Sequence, residues 1–451
     1  MRSVFPPDSS TPRGPRVSFR AIASAASILR CVLTAGLLLC LGPQGSAQRL
    51  SPLAPAPDWK ELEPFQETIT RPEFMQLLEK VYAPNEAARG LITVGETAAI
   101  IRTSLHPPAE VQLRFASESA GAKPPPRYWR PASTLGPAPA GRPLDSVKIA
   151  LDPGHLGGDW AKMEERWFQV GSSKPVAEGE MTLRVAQLLA PQLRALGAEV
   201  LFVREKLGPT SPNQPETLRE AARAELALQG ITHPRLTYNA AQKDDPTRGQ
   251  TVQWQSELLF YRIGEIRHRA EVVNETLQPD LVLCIHFNAE GWGGDPLNPE
   301  FVPRNHLHLL VNGAYSAGEL RFDDQRHDFL MKLLNRSHAE ELAASESVAA
   351  ALSAGANLPP YRYPTPNARP VGATPFVWAR NLLANRLYRA PVVFLEPYVM
   401  NSEELWARVQ AGEYDGERLV AGVRRKDLFR EYADAVAVGL AEYYGKARGM
   451  R

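Results

Sequence analysis

Two histidines and a glutamate stand at the ends of three apolar runs, and together these residue types could bind a metal ion. The runs read KIALDPGH, LVLCIH and PVVFLE, and their last residues are His155, His286 and Glu396. Two imidazoles and a carboxylate are a usual ligand set for a catalytic zinc ion, whose fourth position is left for water. Either histidine alone is equally compatible with a buried core residue. The glutamate favours a metal site, because a buried carboxylate that nothing neutralises is costly.

A sheet of parallel strands would bring these residues together, since the functional crevice of an open α/β sheet lies outside the carboxyl ends of its strands. The strand VKIAL is followed by the DPGH turn, by the amphipathic helix EGEMTLRVAQLLAPQLRALG and by the strand AEVLFVR. This order forms a βαβ unit. A helix over 253–277, the strands LVLCIH, HLHLLV and PVVFLEPYV, and a last helix over 426–444 continue the pattern. We therefore predict an α/β fold with a mostly parallel, twisted sheet flanked by helices.

The composition of the chain changes twice before this fold begins. Residues 48–118 alternate helical and strand-like text and predict a small α+β module, and residues 119–145 form a Pro-rich linker. The main domain is predicted to span 146–446, with insertions near 205–250 and 290–380. At 451 residues with 44% hydrophobic and 22% charged residues, the chain is typical of globular proteins. Its formal net charge of +1 provides no basic surface of the kind that nucleic-acid binding needs.

The N-terminus indicates export. Residues 1–47 contain arginines, an apolar stretch and a small-residue site that ends in GSA, so we predict a signal peptide cleaved before Gln48. A retained anchor, or a lipoprotein site at Cys40, is the alternative. We predict no later membrane span and a location in the periplasm or outside the cell. After cleavage Cys284 is the lone cysteine, which excludes an internal disulfide.

Four segments, in this order, carry a resemblance to a known family. They are DPGHLGGD, the helix that ends in ALGAEVLFVRE, RAEVVNETLQPDLVLCIHFNA and PVVFLEPYVMNSEEL. Together they resemble the zinc-dependent N-acetylmuramoyl-L-alanine amidases of type 3, over roughly residues 146–446. The resemblance implies Zn²⁺ ligands at His155, at a glutamate of the helix head and at His286, with Glu396 as the catalytic carboxylate. It also implies hydrolysis of the amide between N-acetylmuramic acid and L-alanine in peptidoglycan, and leaves open an activating partner protein.

The helix head offers two glutamates, Glu178 and Glu180. Positions two apart on a helix point about 200° away from each other, so one helix cannot direct both at one ion. In the family the ligand precedes an apolar core residue by five positions and a small residue by eight. Glu178 meets both conditions, with Leu183 and Ala186. We predict Glu178 as the ligand.

Other polar residues are weaker candidates for substrate contacts. His306 and His308 share one face of a predicted strand, since side chains alternate along strands, and Asn288 and Arg269 complete the set. We expect the remaining histidines of the polar and helical text to lie at the surface: His233, His268, His327 and His338. Two other classes of function stay open, a catalytically inactive peptidoglycan-binding relative and another zinc peptidase on a similar sheet.

Overall fold

The computed structural model of the chain describes residues 49–239, 245–295 and 298–450. The predicted signal, residues 1–47, and the predicted mature start at Gln48 lie outside these ranges. Across the described ranges, no helix is both long and apolar enough to cross a membrane.

Short strands and helices alternate along the described chain. The strands are β1 Ile92–Val94, β2 Ala98–Leu105, β3 Pro108–Arg114, β4 Lys148–Pro153, β5 Trp167–Phe168, β6 Val176–Ala177, β7 Glu199–Phe202, β8 Leu281–Ile285, β9 Gly293–Asp295, β10 Asn298–Glu300, β11 Leu307–Val311, β12 Arg369–Pro370, β13 Val377–Ala379, β14 Val392–Pro397, β15 Glu417–Val420 and β16 Val423–Lys426. The α-helices are α1 Arg71–Leu77, α2 Glu178–Ala195, α3 Arg219–Leu228, α4 Val252–Leu258, α5 Glu265–Glu271, α6 Asp323–Asn335, α7 His338–Ala356, α8 Leu383–Leu387, α9 Glu403–Ala411 and α10 Leu428–Ala447.

Seven strands form the central sheet, in the order β12-β13-β11-β14-β8-β4-β7. The neighbours β13/β11, β14/β8, β8/β4 and β4/β7 are parallel. The neighbours β12/β13 and β11/β14 are antiparallel, so the sheet is mixed. The strands β4, β8 and β14 lie side by side, which brings the residues after their carboxyl ends to one edge of the sheet.

Helices cover both faces of this sheet. On one face an apolar cluster joins Leu189 of α2, Val348 of α7 and Val436 of α10 to Leu151 and Ile285 of the strands. On the other face Ala270 and Val273 pack with residues such as Ala150, Cys284 and Phe394. Burial on both faces explains why β8 reads as an unbroken apolar run, LVLCI, rather than as an alternating one.

The long helix predicted over 253–277 is present as a helix of changing pitch. It runs from α4 through a π-helical turn, Leu259–Gly264, into α5 and a second π-helical stretch, Val272–Leu277. Its first half packs with α3 in a cluster that contains Leu226, Phe260 and Leu156. The inserted segment therefore contacts the loop that directly follows His155.

The first part of the described chain has a small sheet, β1-β2-β3, whose neighbouring strands are antiparallel. Apolar side chains of this sheet and of helix α1, such as Ile101 and Phe74, join Tyr315 and the α6 residues Phe329 and Leu330 in one buried cluster. The interpretation of residues 48–118 as a module of its own stays a prediction, and this core is shared with the main domain.

The Pro-rich segment 119–145 is packed onto the main domain at several points. Trp129 is buried against the sheet, and its ring N–H donates to the side chain of Asn335. Arg130 forms an ion pair with the buried Asp280 at 2.6 Å. These contacts fix the segment next to the amino ends of β4 and β8, at the edge of the sheet opposite to His155.

Candidate metal centre

The three predicted metal ligands converge at one edge of the sheet. His155 follows β4, Glu178 begins α2 and His286 follows β8, and one donor atom of each lies within 4.8 Å of the other two. Glu178 Oε2 is 3.1 Å from His155 Nε2, and Glu178 Oε1 is 3.2 Å from His286 Nδ1. Donors that bind one tetrahedral zinc ion at about 2.0–2.1 Å lie about 3.3 Å apart. The donor types and their spacing therefore fit a zinc ion.

Glu178 and Glu180 are placed very differently. The Glu178 side chain is buried, and its carboxylate also accepts a hydrogen bond from the backbone N–H of Phe287. Glu180 is exposed and accepts from the backbone N–H of Gly158. The structure thus brings Glu178, and not Glu180, to the two histidines.

The DPGH turn is shaped by two backbone features. His155 has φ of +61°, a left-handed conformation that is uncommon for a residue with a side chain. At Gly154 an added Cβ would lie 2.1 Å from Cε1 of His286, closer than any real contact. A glycine is therefore required here for room, because the imidazole of the neighbouring strand occupies the space of a side chain.

The backbone at the start of α2 packs directly against the backbone of the same loop. A Cβ at Gly179 would lie 2.3 Å from the backbone nitrogen of Gly157. Gly157 itself has φ of +69°. These two glycines allow Glu178, the residue before Gly179, to reach the histidines. The two glycines are visible in the sequence, in the triplets EGE and LGG, but nothing in the sequence shows that these two segments contact each other.

Two buried arginines hold the loop from below. Arg204 donates to the carbonyl oxygens of Pro153, Gly154 and Gly179, so it ties the turn to the head of α2. Arg269 pairs with Asp152 and Glu265 and donates to the carbonyl oxygens of Pro153 and His155. These contacts give Arg269 a part in supporting the loop, and its predicted contact with substrate is not among them.

We call His155, Glu178 and His286 the triad, and the charges of these three side chains depend on one another. Burial alone would raise the pKa of Glu178, but His155 and His286 outweigh it and hold the pKa well below its usual range. Burial would lower the pKa of His155, yet the carboxylates of Glu178 and Glu164 raise it to about 9. Burial dominates at His286, whose pKa is lowered. The triad thus contains an ionised carboxylate between one imidazole whose pKa is raised, His155, and one whose pKa is lowered, His286.

Glu396 lies on β14, between the strand of His286 and the strand of His308. It is the direct cross-strand neighbour of His308, and Phe394, two residues earlier, stacks on the His286 ring at 4.5 Å. Burial raises the pKa of Glu396, the charge of Glu178 raises it further, and the result is a pKa of about 8. A carboxyl group of this kind can exchange a proton near neutral pH.

Two residues near the triad were not recognised from the sequence. The carboxylate of Glu164 lies 3.4 Å from His155 Nδ1, and Nε of Arg166 lies 3.3 Å from Glu178 Oε2. Both belong to an irregular segment between β4 and β5. No periodicity or motif marks them, because their contacts are made by a loop that returns to the site.

The weaker candidates form a wall beside Glu396. His306 donates through Nε2 to the carboxylate of Glu290 at 2.8 Å, and His308 Nε2 is hydrogen-bonded to the Tyr363 hydroxyl at 3.0 Å. Tyr361 lies against both imidazoles, with ring centroids 4.4 Å and 5.0 Å away. Burial lowers the pKa of both histidines. We call His306, His308, Tyr361 and Tyr363 the imidazole wall.

Asn288 lies two residues beyond His286 and is half-buried. Its backbone pairs with the chain that follows Glu396, through Asn288 N to Tyr398 O and Met400 N to Asn288 O. The side chain accepts from the backbone N–H of Ala289. These bonds hold the Asn288 backbone beside the chain that follows β14, two residues beyond His286.

No family model and no curated protein matches this chain. Among solved structures it is similar to the apo form of the N-acetylmuramyl-L-alanine amidase Ami1 from Mycobacterium abscessus, at 17% identity and a TM-score of 0.33, covering 66% of this chain and 99% of that one. It is similar to the CwlD amidase from Clostridioides difficile in complex with the GerS lipoprotein, at 14% identity and a TM-score of 0.35, covering 66% of this chain and 98% of that one. It is also similar to the N-acetylmuramoyl-L-alanine amidase AmiC2 of Nostoc punctiforme, at 12% identity and a TM-score of 0.32, covering 66% of this chain and 96% of that one. Similarity at this level assigns no residue roles.

Proposed function

We propose that the chain is a zinc-dependent N-acetylmuramoyl-L-alanine amidase, which hydrolyses the amide bond between N-acetylmuramic acid and L-alanine in peptidoglycan. The observation that carries this proposal is the convergence of His155, Glu178 and His286, with Glu396 on the next strand. The same four residues belong to the motifs that resemble the amidase family, so the geometry and the sequence pattern support one assignment.

His155, Glu178 and His286 would hold the zinc ion. Their donor set of two imidazoles and a carboxylate is one that catalytic zinc ions use, and it leaves a fourth position. When bound there, zinc would supply activation of a water molecule and polarisation of the amide carbonyl. Both imidazoles keep a small exposed surface, 18% and 16% of their side chains, which would give the substrate access.

Glu396 would move the proton that this hydrolysis requires. The attacking water gives up a proton as its oxygen bonds to the carbonyl carbon, and the leaving nitrogen must gain one before the C–N bond breaks. A single carboxyl group with a pKa of about 8 can accept the first proton and deliver it to the amine. The products are the lactyl carboxylate of the sugar and a peptide with a free N-terminal alanine.

The imidazole wall and Asn288 would contact the substrate next to the scissile bond. Burial lowers the pKa of His306 and of His308, so both imidazoles are uncharged at neutral pH. Uncharged imidazoles and tyrosine rings suit an uncharged sugar and amide junction, since they offer hydrogen bonds and apolar faces without a fixed charge. The position of His308 opposite Glu396 supports this role.

Export of the chain would place this activity at its substrate. We propose that residues 1–47 direct the chain to the periplasm or the cell surface and are then removed. In this proposal peptidoglycan is the partner and zinc is the cofactor.

The decisive experiment incubates the purified protein with peptidoglycan and labels new amino termini. We expect free N-terminal alanine, its loss after treatment with a metal chelator and its return when zinc is added. New amino termini of another residue would identify a different zinc peptidase. Binding to peptidoglycan without cleavage, in protein that has been loaded with zinc, would identify an inactive relative.

A further inference from the structure

The carboxylate of Glu164 is buried directly behind His155. The residue is 3% exposed, and its Oε1 lies 3.4 Å from Nδ1 of His155. The same carboxylate accepts the backbone N–H of Leu156 at 2.9 Å and that of Gly157 at 3.3 Å. One side chain thus holds the imidazole of His155 and the two residues that follow it.

This arrangement fixes which nitrogen of His155 faces the triad. Nδ1 is turned toward Glu164, and Nε2 is turned toward Glu178 at 3.1 Å. An acceptor at Nδ1 holds a proton there, so a zinc ion would replace the other proton, the one on Nε2, and would bind the lone pair of that atom. Histidine ligands whose second nitrogen donates to a carboxylate are held in orientation and become stronger donors.

The backbone of His155 shows why such a support is needed. Its φ of +61° costs energy, and such a conformation persists only when neighbouring contacts determine it. Glu164 is itself held in place, because Glu165, the next residue, pairs with Arg248 at 3.1 Å and Arg248 stacks on Trp254. The segment is therefore anchored to the chain around Arg248 and Trp254.

We propose that Glu164 is a positioning residue that orients His155 for zinc through Nδ1. The inference rests on the proposed function in one respect, that the ion is zinc. A different reading assigns Glu164 only to the loop, as the acceptor for Leu156 and Gly157. The two differ in what they predict for metal affinity, because only the first acts on a donor atom.

The test measures the zinc dissociation constant of the full protein by competition with a chromophoric chelator. Glu164→Ala is expected to raise this constant about 10- to 100-fold. Glu164→Gln should raise it less, because its amide oxygen can still accept one N–H. Glu180→Gln is the matched control, an exposed glutamate at the same helix head, and should leave the constant within about twofold. Activity of Glu164→Ala should recover as the zinc concentration is raised.

A zinc dissociation constant for Glu164→Ala within about twofold of the wild type would overturn the proposal. So would equal losses of thermal midpoint in the zinc-free and zinc-loaded protein, since these would show a role in the loop alone. If Glu164→Ala does not fold, Glu164→Gln decides, and an unchanged constant overturns the proposal. Failure of the proposed function has a separate signature, which is a wild type that binds zinc and releases no alanine.

Discussion

Two pairs of histidines at the same edge of the sheet differ in the groups that surround them. His155 and His286 both contact the carboxylate of Glu178, and Glu164 lies behind the first of them. In the imidazole wall, His306 and His308 pack on tyrosine rings, and the Nδ1 atom of each is buried without a hydrogen-bond partner. Burial lowers the pKa of His308 strongly, whereas nearby carboxylates raise that of His155 to about 9.

The difference lies in the shared carboxylate and not in the direction of every pKa shift, because burial lowers the pKa of His286 as it lowers those of His306 and His308. Only His155 and His286 contact one common carboxylate, that of Glu178. All four imidazoles are largely enclosed, but the pair with a shared carboxylate has donor atoms directed at a common point. The other pair presents neutral rings. We infer that the first pair binds the ion and the second pair contacts the substrate, and each of the following variants tests this division.

The largest effect is expected for the imidazoles of the triad. His155→Ala or His286→Ala should abolish both bound zinc and hydrolysis, because two remaining protein donors hold zinc poorly. The matched variant His308→Ala should keep about one zinc per chain. Metal analysis of the purified proteins decides, and loss of zinc from the His308 variant would break the comparison.

The two glutamates of the helix head provide a second pair. Glu178→Ala should strip zinc and activity, while Glu180→Ala should keep the metal and cost about 0.3–1 kcal/mol of stability, the value of a carboxylate in the first turn of a helix. Metal content and thermal unfolding measure the two effects. The assignment of the ligand is wrong if the Glu180 variant is the one that is metal-free.

Glu396 should separate metal binding from chemistry. Glu396→Gln removes the proton carrier and keeps the shape, so turnover should fall about 100-fold or more with zinc retained. Turnover with and without added zinc is the measurement. Near-normal turnover in the zinc-loaded variant would show that Glu396 has a structural role.

Gly154 tests whether space at the turn matters. Gly154→Ala places a Cβ in the volume of the His286 ring and should weaken zinc binding about 10-fold or more, an effect of the size seen when ligand orientation is lost. Gly121→Ala is the control, since its nearest neighbour would be the flexible Glu118 side chain at 3.7 Å. Equal zinc affinity in the two variants would contradict the steric argument.

The smallest effect is expected in the imidazole wall. Tyr361→Ala should raise KM for peptidoglycan about 3- to 10-fold with little change in kcat, the pattern of a lost contact that substrate and transition state share. Steady-state kinetics on soluble fragments would measure it. A fall in kcat with unchanged KM would instead place Tyr361 among the groups that act on the reaction itself.

The sequence predicted the elements that carry the triad because each has a strong local signal. The apolar runs of β4, β8 and β14 end at residues of the candidate site, and α2 has a clear amphipathic pattern. The choice of Glu178 over Glu180 came from the resemblance to the amidase family, which implies a fixed spacing between the ligand and two core residues of this helix. The predicted strand around His308 is present as well. Its antiparallel pairing with β14 was not predictable, since pairing direction depends on the whole sheet.

Contacts between distant segments were beyond the reach of sequence patterns. Glu164 and Arg166 reach the site through an irregular loop. The prediction that His327 and His338 lie at the surface is wrong, since both are buried. The sequence of helix α6 is rich in charged residues and therefore predicts an exposed helix. Some of these residues are buried in ion pairs, such as Arg326 with Asp323, and periodicity does not distinguish a paired buried charge from a solvated one.

The core that residues 62–115 share with the main domain has a consequence for any shortened form of this protein. A fragment that starts at residue 146 would leave Phe329 and Leu330 of α6 without the side chains that now cover them. The backbone hydrogen bonds that Ala314 and Tyr315 donate to the carbonyl oxygens of Val81 and Tyr82 would be lost as well. Newly exposed aromatic and aliphatic surface of this kind favours aggregation. We therefore expect the amino-terminal segment to act as a cover for this part of the core, and a fragment without it to be less soluble than the full chain.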